Sequence, residues 1–253
     1  MYPILFKIGP LSIHAYGFMI ALAFLAGILL ALYYAKKEGI RGEVILDLAI
    51  YIIIAGIVGA RLLYVAAQWD LYKDDLLEII MVQKGGLIFL GGFILAMLVT
   101  VWYAKAKGIP LLKLLDVLGP GTTLGYAIAR VGCFLNGCCF GLPTKVPWGV
   151  VFPPGALAHS YFPGESIHPT QLYSSASMLL VFIIVVMLYR HKRFDGYIFF
   201  WWIILYSIYR FLVEFLRFSP IHWLGLTPSQ WMVLPLAALA IFGLTYNLKR
   251  LSK

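Results

Sequence analysis

Charge is what this 253-residue chain has least of. Only 12% of its residues are Asp, Glu, Lys or Arg, about half of the roughly 25% usual in a soluble domain. That shortage excludes a globular enzyme wrapped in a solvated polar shell. Cysteine is nearly absent too, limited to Cys133, Cys138 and Cys139. Their C-x4-C-C spacing is neither a CxxC redox motif nor half of a paired zinc motif. It leaves open one disulfide with one free thiol, or small buried residues filling a tight turn. No repeat or low-complexity tract divides the chain, so residues 1–253 read as a single transmembrane domain. No cleavable signal peptide is expected, because the first fifteen residues contain one Lys and no small-residue cleavage site. Nothing in the motifs calls for a metal or an organic cofactor.

What the chain has in excess is apolar length. Hydrophobic residues make up 62% of it, gathered into runs that predict seven helices near 16–35, 45–67, 86–104, 114–131, 171–189, 196–214 and 229–246, each close to the ~20 residues that cross a bilayer. The fold class is therefore an all-α polytopic membrane protein. The net charge of +9 does not call for nucleic acid, because most basic residues lie in short loops. Twelve Lys and Arg follow the odd-numbered spans, among them Lys36, Lys105, Lys192 and Lys253, whereas five fall on the other side, Lys7, Lys73, Lys84, Lys145 and Arg217. This asymmetry places the amino terminus outside and the carboxy terminus in the cytoplasm. Two outside segments are too long for simple turns. Residues 68–85 carry Asp70, Asp74, Asp75 and Glu78, with a short interfacial helix expected near Leu76–Val82. Residues 132–170 are rich in glycine and proline. Together these two segments are expected to form a small extracytoplasmic cap.

The remaining three basic residues, Arg61, Arg130 and Arg210, sit within or at the lips of spans. A guanidinium in hydrocarbon costs at least ~2.5–3.5 kcal/mol on insertion scales, which implies an anionic partner. At that depth the abundant anion is a lipid phosphate. Around Arg130 the segment Gly125–Gly141 adds Asn136 and glycines such as Gly141, whose backbone N–H groups can approach a ligand. The planar fork of Arg130 suits a phosphate; the bland reading is a snorkelling side chain. In Tyr206-Ser-Ile-Tyr-Arg210-Phe-Leu-Val-Glu214-Phe-Leu-Arg217, the four named residues share one helical face, and Glu214 is placed to pair with both arginines. The bland reading there is an ion network that orients helices. In Ile167-His168-Pro169-Thr170-Gln171-Leu172-Tyr173, Pro169 and Thr170 suit a helix start, with Thr170 or Ser166 as its cap. His168, Gln171 and Tyr173 then occupy the first turn. His168 is the side chain there that changes charge nearest neutral pH. His14 and Tyr16 stand at the mouth of the first span.

Taken in order, these segments resemble the prolipoprotein diacylglyceryl transferase family over essentially the whole chain. The resemblance is carried by Ala15-Tyr16-Gly17, Gly59-Ala60-Arg61, Gly85-Gly86 with Gly91-Gly92, Arg130-Val-Gly-x-Phe-x-Asn136-Gly, Pro147-Trp148-Gly149-Val150, His168-Pro-Thr-Gln-Leu-Tyr173 and Tyr206-x-x-x-Arg210-Phe-x-x-Glu214-Phe-x-Arg217. It implies transfer of a diacylglyceryl group from phosphatidylglycerol to the lipobox cysteine of a preprolipoprotein in the bacterial cytoplasmic (inner) membrane. Arg130, Arg210 and His168 are the expected catalytic residues. Arg130, Asn136, Gly141, Tyr16, Arg61, Tyr206, Glu214, Gln171 and Tyr173 are expected to bind substrate. Where family members commonly carry His, Asn, Glu and an acidic residue, this chain has Leu90, Cys133, Cys138 and Ser174. Either another group takes the proton, or the chain is a divergent relative, such as a phospholipid- or anion-binding or transport protein without transferase activity.

Overall fold

The computed structural model describes residues 4–8, 11–73, 75–82 and 85–251. Asp74, Lys84 and Lys253 of the loop reading lie outside the described residues. The elements run β1 (Ile4–Ile8), β2 (Leu11–His14), α1 (Ala15–Lys37), α2 (Gly42–Ala67), α3 (Phe89–Ala106), α4 (Leu111–Asn136), β3 (Val150–Val151), α5 (Leu157–Tyr161), β4 (Ser166–Ile167), α6 (Thr170–Tyr189), α7 (Tyr197–Val213) and α8 (Pro228–Leu251). Helices α1, α2, α3, α6, α7 and α8 are long and apolar enough to cross a membrane. Large apolar side chains such as Leu29, Leu98, Leu180, Leu212 and Phe242 are exposed along them, as expected of surfaces that face lipid. The chain is a polytopic helical membrane protein. α4 has 26 residues with Pro120 inside it, and at ~1.5 Å per residue it matches the bilayer in length, although it carries Lys113, Asp116 and Arg130.

By its contacts the chain divides into two compact units, one of Leu32–Leu114 and one of the residues up to Ala31 with those from Leu115 onward. In the first, α2 and α3 meet through glycines: a β-carbon on Gly59 or Gly91 would collide with the other's backbone carbonyl, and one on Gly92 with that of Gly56. Small residues let helix backbones approach where lipid offers no hydrophobic drive for association. The segment between these helices holds 3-10 turns at Trp69–Leu71 and Leu76–Ile80, the second where the short helix was expected.

In the other unit, α1 packs on α4 by the same means. Gly121 lies against the Gly27 backbone and Gly125 against that of Ala23, so each helix presents small residues four apart. Gly196 is the cap residue of α7, and buried Asp116 of α4 accepts hydrogen bonds from the Gly196 and Phe199 amides, both at 2.8 Å. Lys192 lies 3.2 Å from the same carboxylate. An acid from one helix thus caps another, where the helix dipole favours negative charge.

α4 runs five residues past its expected end. Asn136 is its last residue, and Gly137 follows in the left-handed region at φ 72°. Cys138 N donates to Cys133 O and Gly137 N to Phe134 O, both at 3.1 Å, which is a Schellman closure. Cys133 and Asn136 are therefore helical rather than part of the loop. Beyond them, residues 137–169 fold around Phe140, Phe152, Ala158 and Ile167, with Phe134, Phe162 and Phe218 packed against this cluster. Phe140 and Phe218 stack at 5.6 Å with rings 9° apart. β3 pairs antiparallel with β4, and β1 with β2; these short ribbons were not anticipated.

Candidate active site

Arg130 lies in the penultimate turn of α4, half-buried. One turn earlier, Tyr126 presents its ring 4.5 Å from the guanidinium carbon and its hydroxyl 2.6 Å from an Arg130 Nη, which donates to it. That hydroxyl lies 3.3 Å from the Tyr209 hydroxyl. Among the described residues Arg130 meets no carboxylate and donates to no other acceptor. A cation held this way keeps most of its five donors for something else.

Arg210 is arranged differently. It is buried in α7, pairs with Glu214 at 3.0 Å and donates to Ser229 Oγ at 2.8 Å. Arg217 approaches the same Glu214 oxygen at 3.8 Å. The double pairing read from the spacing is present, but not on one continuous α-helix. α7 ends at Val213, Glu214–Leu216 is a 3-10 turn, and Arg217 is extended at φ −92° and ψ 140°. Arg210, Glu214, Arg217 and Ser229 line a cavity of about 300 Å³ with Phe218 to Ile221 and Pro228. Tyr206 stands within the electrostatic field of Arg130, Arg210 and Arg217 together. Among the described residues one carboxylate, Glu214, pairs with both Arg210 and Arg217.

Where α4 ends, Cys133, Cys138 and Cys139 converge, their sulfurs all within 4.8 Å of one another. None forms a disulfide. Cys139 adopts φ 60°, unusual for a residue with a β-carbon. Hydrogen bonds from Cys133 and Cys138, aided by the charges of Arg217 and Arg130, pull its thiol below the ordinary range against the opposing effect of burial. Tyr16 lies near all three cysteines, its ring against the face of Gly132. Asn136, exposed at the helix end, hydrogen-bonds with Cys138.

His168 and Tyr173 form one assembly, with His168 Nδ1 3.3 Å from the Tyr173 hydroxyl, which accepts a 2.6 Å hydrogen bond from Trp148 Nε1. Buried Gln171 donates to Cys138 O at 2.7 Å, while its own carbonyl oxygen has no partner among the described residues. Thr170 does not cap α6: its hydroxyl donates to Cys139 O at 3.1 Å, and the cap position, Pro169, makes no side-chain cap bond. Gly141 spends its N–H on His168 O at 3.1 Å, and a β-carbon there would strike His168 and the Leu216 carbonyl. It sits where three chain segments cross, with no amide left for a ligand.

Arg61 belongs to the other unit, and its donors are occupied. Nε donates to Ile79 O at 2.8 Å, one Nη to Gly85 O at 2.8 Å and Gly86 O at 3.1 Å, and the other to Glu78 O. Tyr72 covers the guanidinium at 5.0 Å. Gly86 has φ 73° and no room for a β-carbon beside Tyr64 and Arg61. Among the described residues the cation here is met by four carbonyls rather than by a carboxylate.

The family model described as prolipoprotein diacylglyceryl transferase matches residues 3–246. The chain belongs to this family. It is 36% identical over 245 residues to a phosphatidylglycerol–prolipoprotein diacylglyceryl transferase of Finegoldia magna, covering 96% of this chain and 94% of the relative. Against the protein of that name from Clostridium tetani it is 36% identical over 254 residues, with both chains fully covered. The corresponding Synechococcus elongatus protein is 35% identical over 98% of this chain and 89% of its own. As a member of the family the chain is a transferase. Tyr126, Tyr209 and Ser229 were not singled out from the sequence, although Tyr126 stands one helical turn from Arg130. Of the departures from the common family pattern, Leu90 is exposed in the first turn of α3, and Ser174 is buried with its hydroxyl on Thr170 O.

Proposed function

We propose that this chain moves the diacylglyceryl group of phosphatidylglycerol to the lipobox cysteine thiol of preprolipoproteins in the bacterial inner membrane, the first step of lipoprotein maturation. The observation that carries the residue assignment is the guanidinium of Arg130, which is half-buried, stacked on Tyr126 and unpaired with any carboxylate among the described residues. The thiol sulfur attacks an sp3 glyceryl carbon as the bond from that carbon to the phosphodiester oxygen breaks. The phosphate then gains a second negative charge. Positive charge fixed beforehand on its oxygens lowers that barrier most. Arg130 grips the phosphate, Arg210 adds charge from the cavity beside it, and Glu214 with Ser229 holds Arg210 in place. Tyr206 and Tyr16 flank the headgroup. Asn136 donates to an ester or phosphate oxygen. Gln171, whose carbonyl oxygen has no partner among the described residues, supports the acceptor-peptide side with Tyr173, and His168 takes the proton of the incoming thiol through water. Arg61 is a positioning residue that keeps Glu78, Ile79, Gly85 and Gly86 in place, and Gly141 fixes the backbone carrying His168.

In this reading α4 is an additional, seventh span, with the amino terminus outside, and the segments joining α2 to α3 and α4 to α6 (137–169) lie on the outer side. The test is two-part. Expression should restore growth to cells depleted of their own transferase. Purified enzyme with phosphatidylglycerol should convert a lipobox peptide into its thioether, releasing glycerol phosphate. Binding of the lipid without any thioether product would overturn the assignment.

A further inference from the structure

Linear spacing offers no metal motif, yet the fold brings three sulfurs to one point. Cys133 comes from the last turn of α4, and the Schellman closure followed by the left-handed turn at Cys139 returns Cys138 and Cys139 to it, with all three Sγ within 4.8 Å. Three thiolates bound to one tetrahedral ion at ~2.3 Å stand ~3.8 Å apart, within about 1 Å of the largest separation the three sulfurs have here. Thiolate ligands select thiophilic d10 ions over hard cations. Charge also fits: a zinc(II) ion with three thiolates is an anion, and Cys139 lies in the field of Arg130 and Arg217. Three protein ligands leave a fourth position free, the pattern of a catalytic rather than a structural site.

We propose that Cys133, Cys138 and Cys139 hold one zinc(II) ion, and that its fourth position takes the acceptor thiol of the peptide substrate, a second step that rests on the transferase reading above. On binding, the thiol loses its proton to water and on to His168, since a coordinating thiol is deprotonated outright. The metal-bound sulfur then supplies the electron pair for the new carbon–sulfur bond. The electron pair of the breaking carbon–oxygen bond leaves on the phosphate held by Arg130. Zinc is neither oxidised nor reduced, and the thioether, a weaker ligand than a thiolate, departs. The ion thereby eases the transfer of that proton to His168.

The full-length protein, purified in detergent under anaerobic reducing conditions, should carry about one zinc per chain by elemental analysis. Cys138→Ser and the triple Cys→Ser variant should lose at least tenfold of it. Because those variants could misfold, the wild-type protein is also stripped with chelator and titrated with cobalt(II). A thiolate-to-cobalt absorption band should appear at one equivalent and shift on adding a lipobox peptide, but not the same peptide with Ser in place of its Cys. Three freely titrating thiols with no zinc or cobalt bound, or a disulfide among them, would overturn the site. If such metal-free enzyme still forms thioether, the transferase reading stands without zinc. A peptide-responsive cobalt band with no thioether formed from phosphatidylglycerol keeps the metal and removes the transfer.

Discussion

Replacing Arg130 with lysine keeps the charge and removes the plane. Two contacts then go. The stacking over Tyr126 at 4.5 Å contributes about 0.5–2 kcal/mol, and one of the two charge-assisted bonds of a bidentate grip contributes about 1.5–3 kcal/mol. Partial compensation by the lysine ammonium leaves a net loss of about 2–4 kcal/mol, which is about 30- to 1,000-fold in rate. Most of it should appear in kcat, because the second phosphate charge exists only as the bond breaks. Arg130→Gln, which removes the charge as well, should fall further. Tyr126→Phe keeps the ring and loses only the 2.6 Å hydroxyl contact, so a three- to tenfold loss is expected, about 1 kcal/mol. The assay is thioether formation on a lipobox peptide in phosphatidylglycerol micelles, normalised to folded protein. Arg130→Lys within threefold of wild type would refute the bidentate grip and leave a point-charge site.

Four further outcomes follow from the geometry. Arg210→Gln and Glu214→Gln should each cost activity, and the double variant little more than either, with coupling of about 1 kcal/mol or above; strictly additive losses would show that the 3.0 Å pair does not act as a unit. Arg61→Ala leaves four carbonyls without their donor, so the melting temperature should drop by several degrees, about 2–3 kcal/mol; unchanged melting with lost catalysis would instead return Arg61 to the substrate. His168→Gln should lower the rate of thioether formation while leaving phosphatidylglycerol binding unchanged, and a variant with the wild-type rate would remove His168 from proton transfer. Finally, cysteines substituted for Lys36, Lys105 and Lys192 should resist an impermeant reagent added to intact cells, and labelling at any of them would invert the topology.

Six of the seven expected spans were legible because hydrocarbon demands length and apolarity, which composition records directly. The Glu214 pairing was equally legible, since residues three and four apart meet on a helix and remain within reach when the last turn tightens to 3-10. Arg61 was half legible. Its burial announced a partner, but the insertion cost does not say whether that partner is an anion or a ring of carbonyls. The cysteine cluster was hidden for a different reason. Its geometry depends on two consecutive reversals, at Gly137 and Cys139, and the second requires a left-handed residue that has a side chain. The ribbons of 137–169 were hidden because they are held by backbone bonds and aromatic packing from Phe218, some fifty residues downstream of β4.

The crossing at Gly141 has a consequence for how this enzyme can change over generations. Gly141 N to His168 O, His168 N to Leu142 O, Leu142 N to Leu216 O and Phe218 N to Phe140 O, each within 3.1 Å, lace together the segments bearing His168 and Arg217. All eight atoms are amides and carbonyls. Replacing the side chain of Leu142 or Leu216 by another of similar bulk leaves every link intact, so the relative placement of His168 and Arg217 is insulated from drift around them. The lattice yields only to a proline, which has no amide hydrogen, or to any side chain at 141. Variation can therefore accumulate on both sides of the knot while its geometry is inherited unchanged.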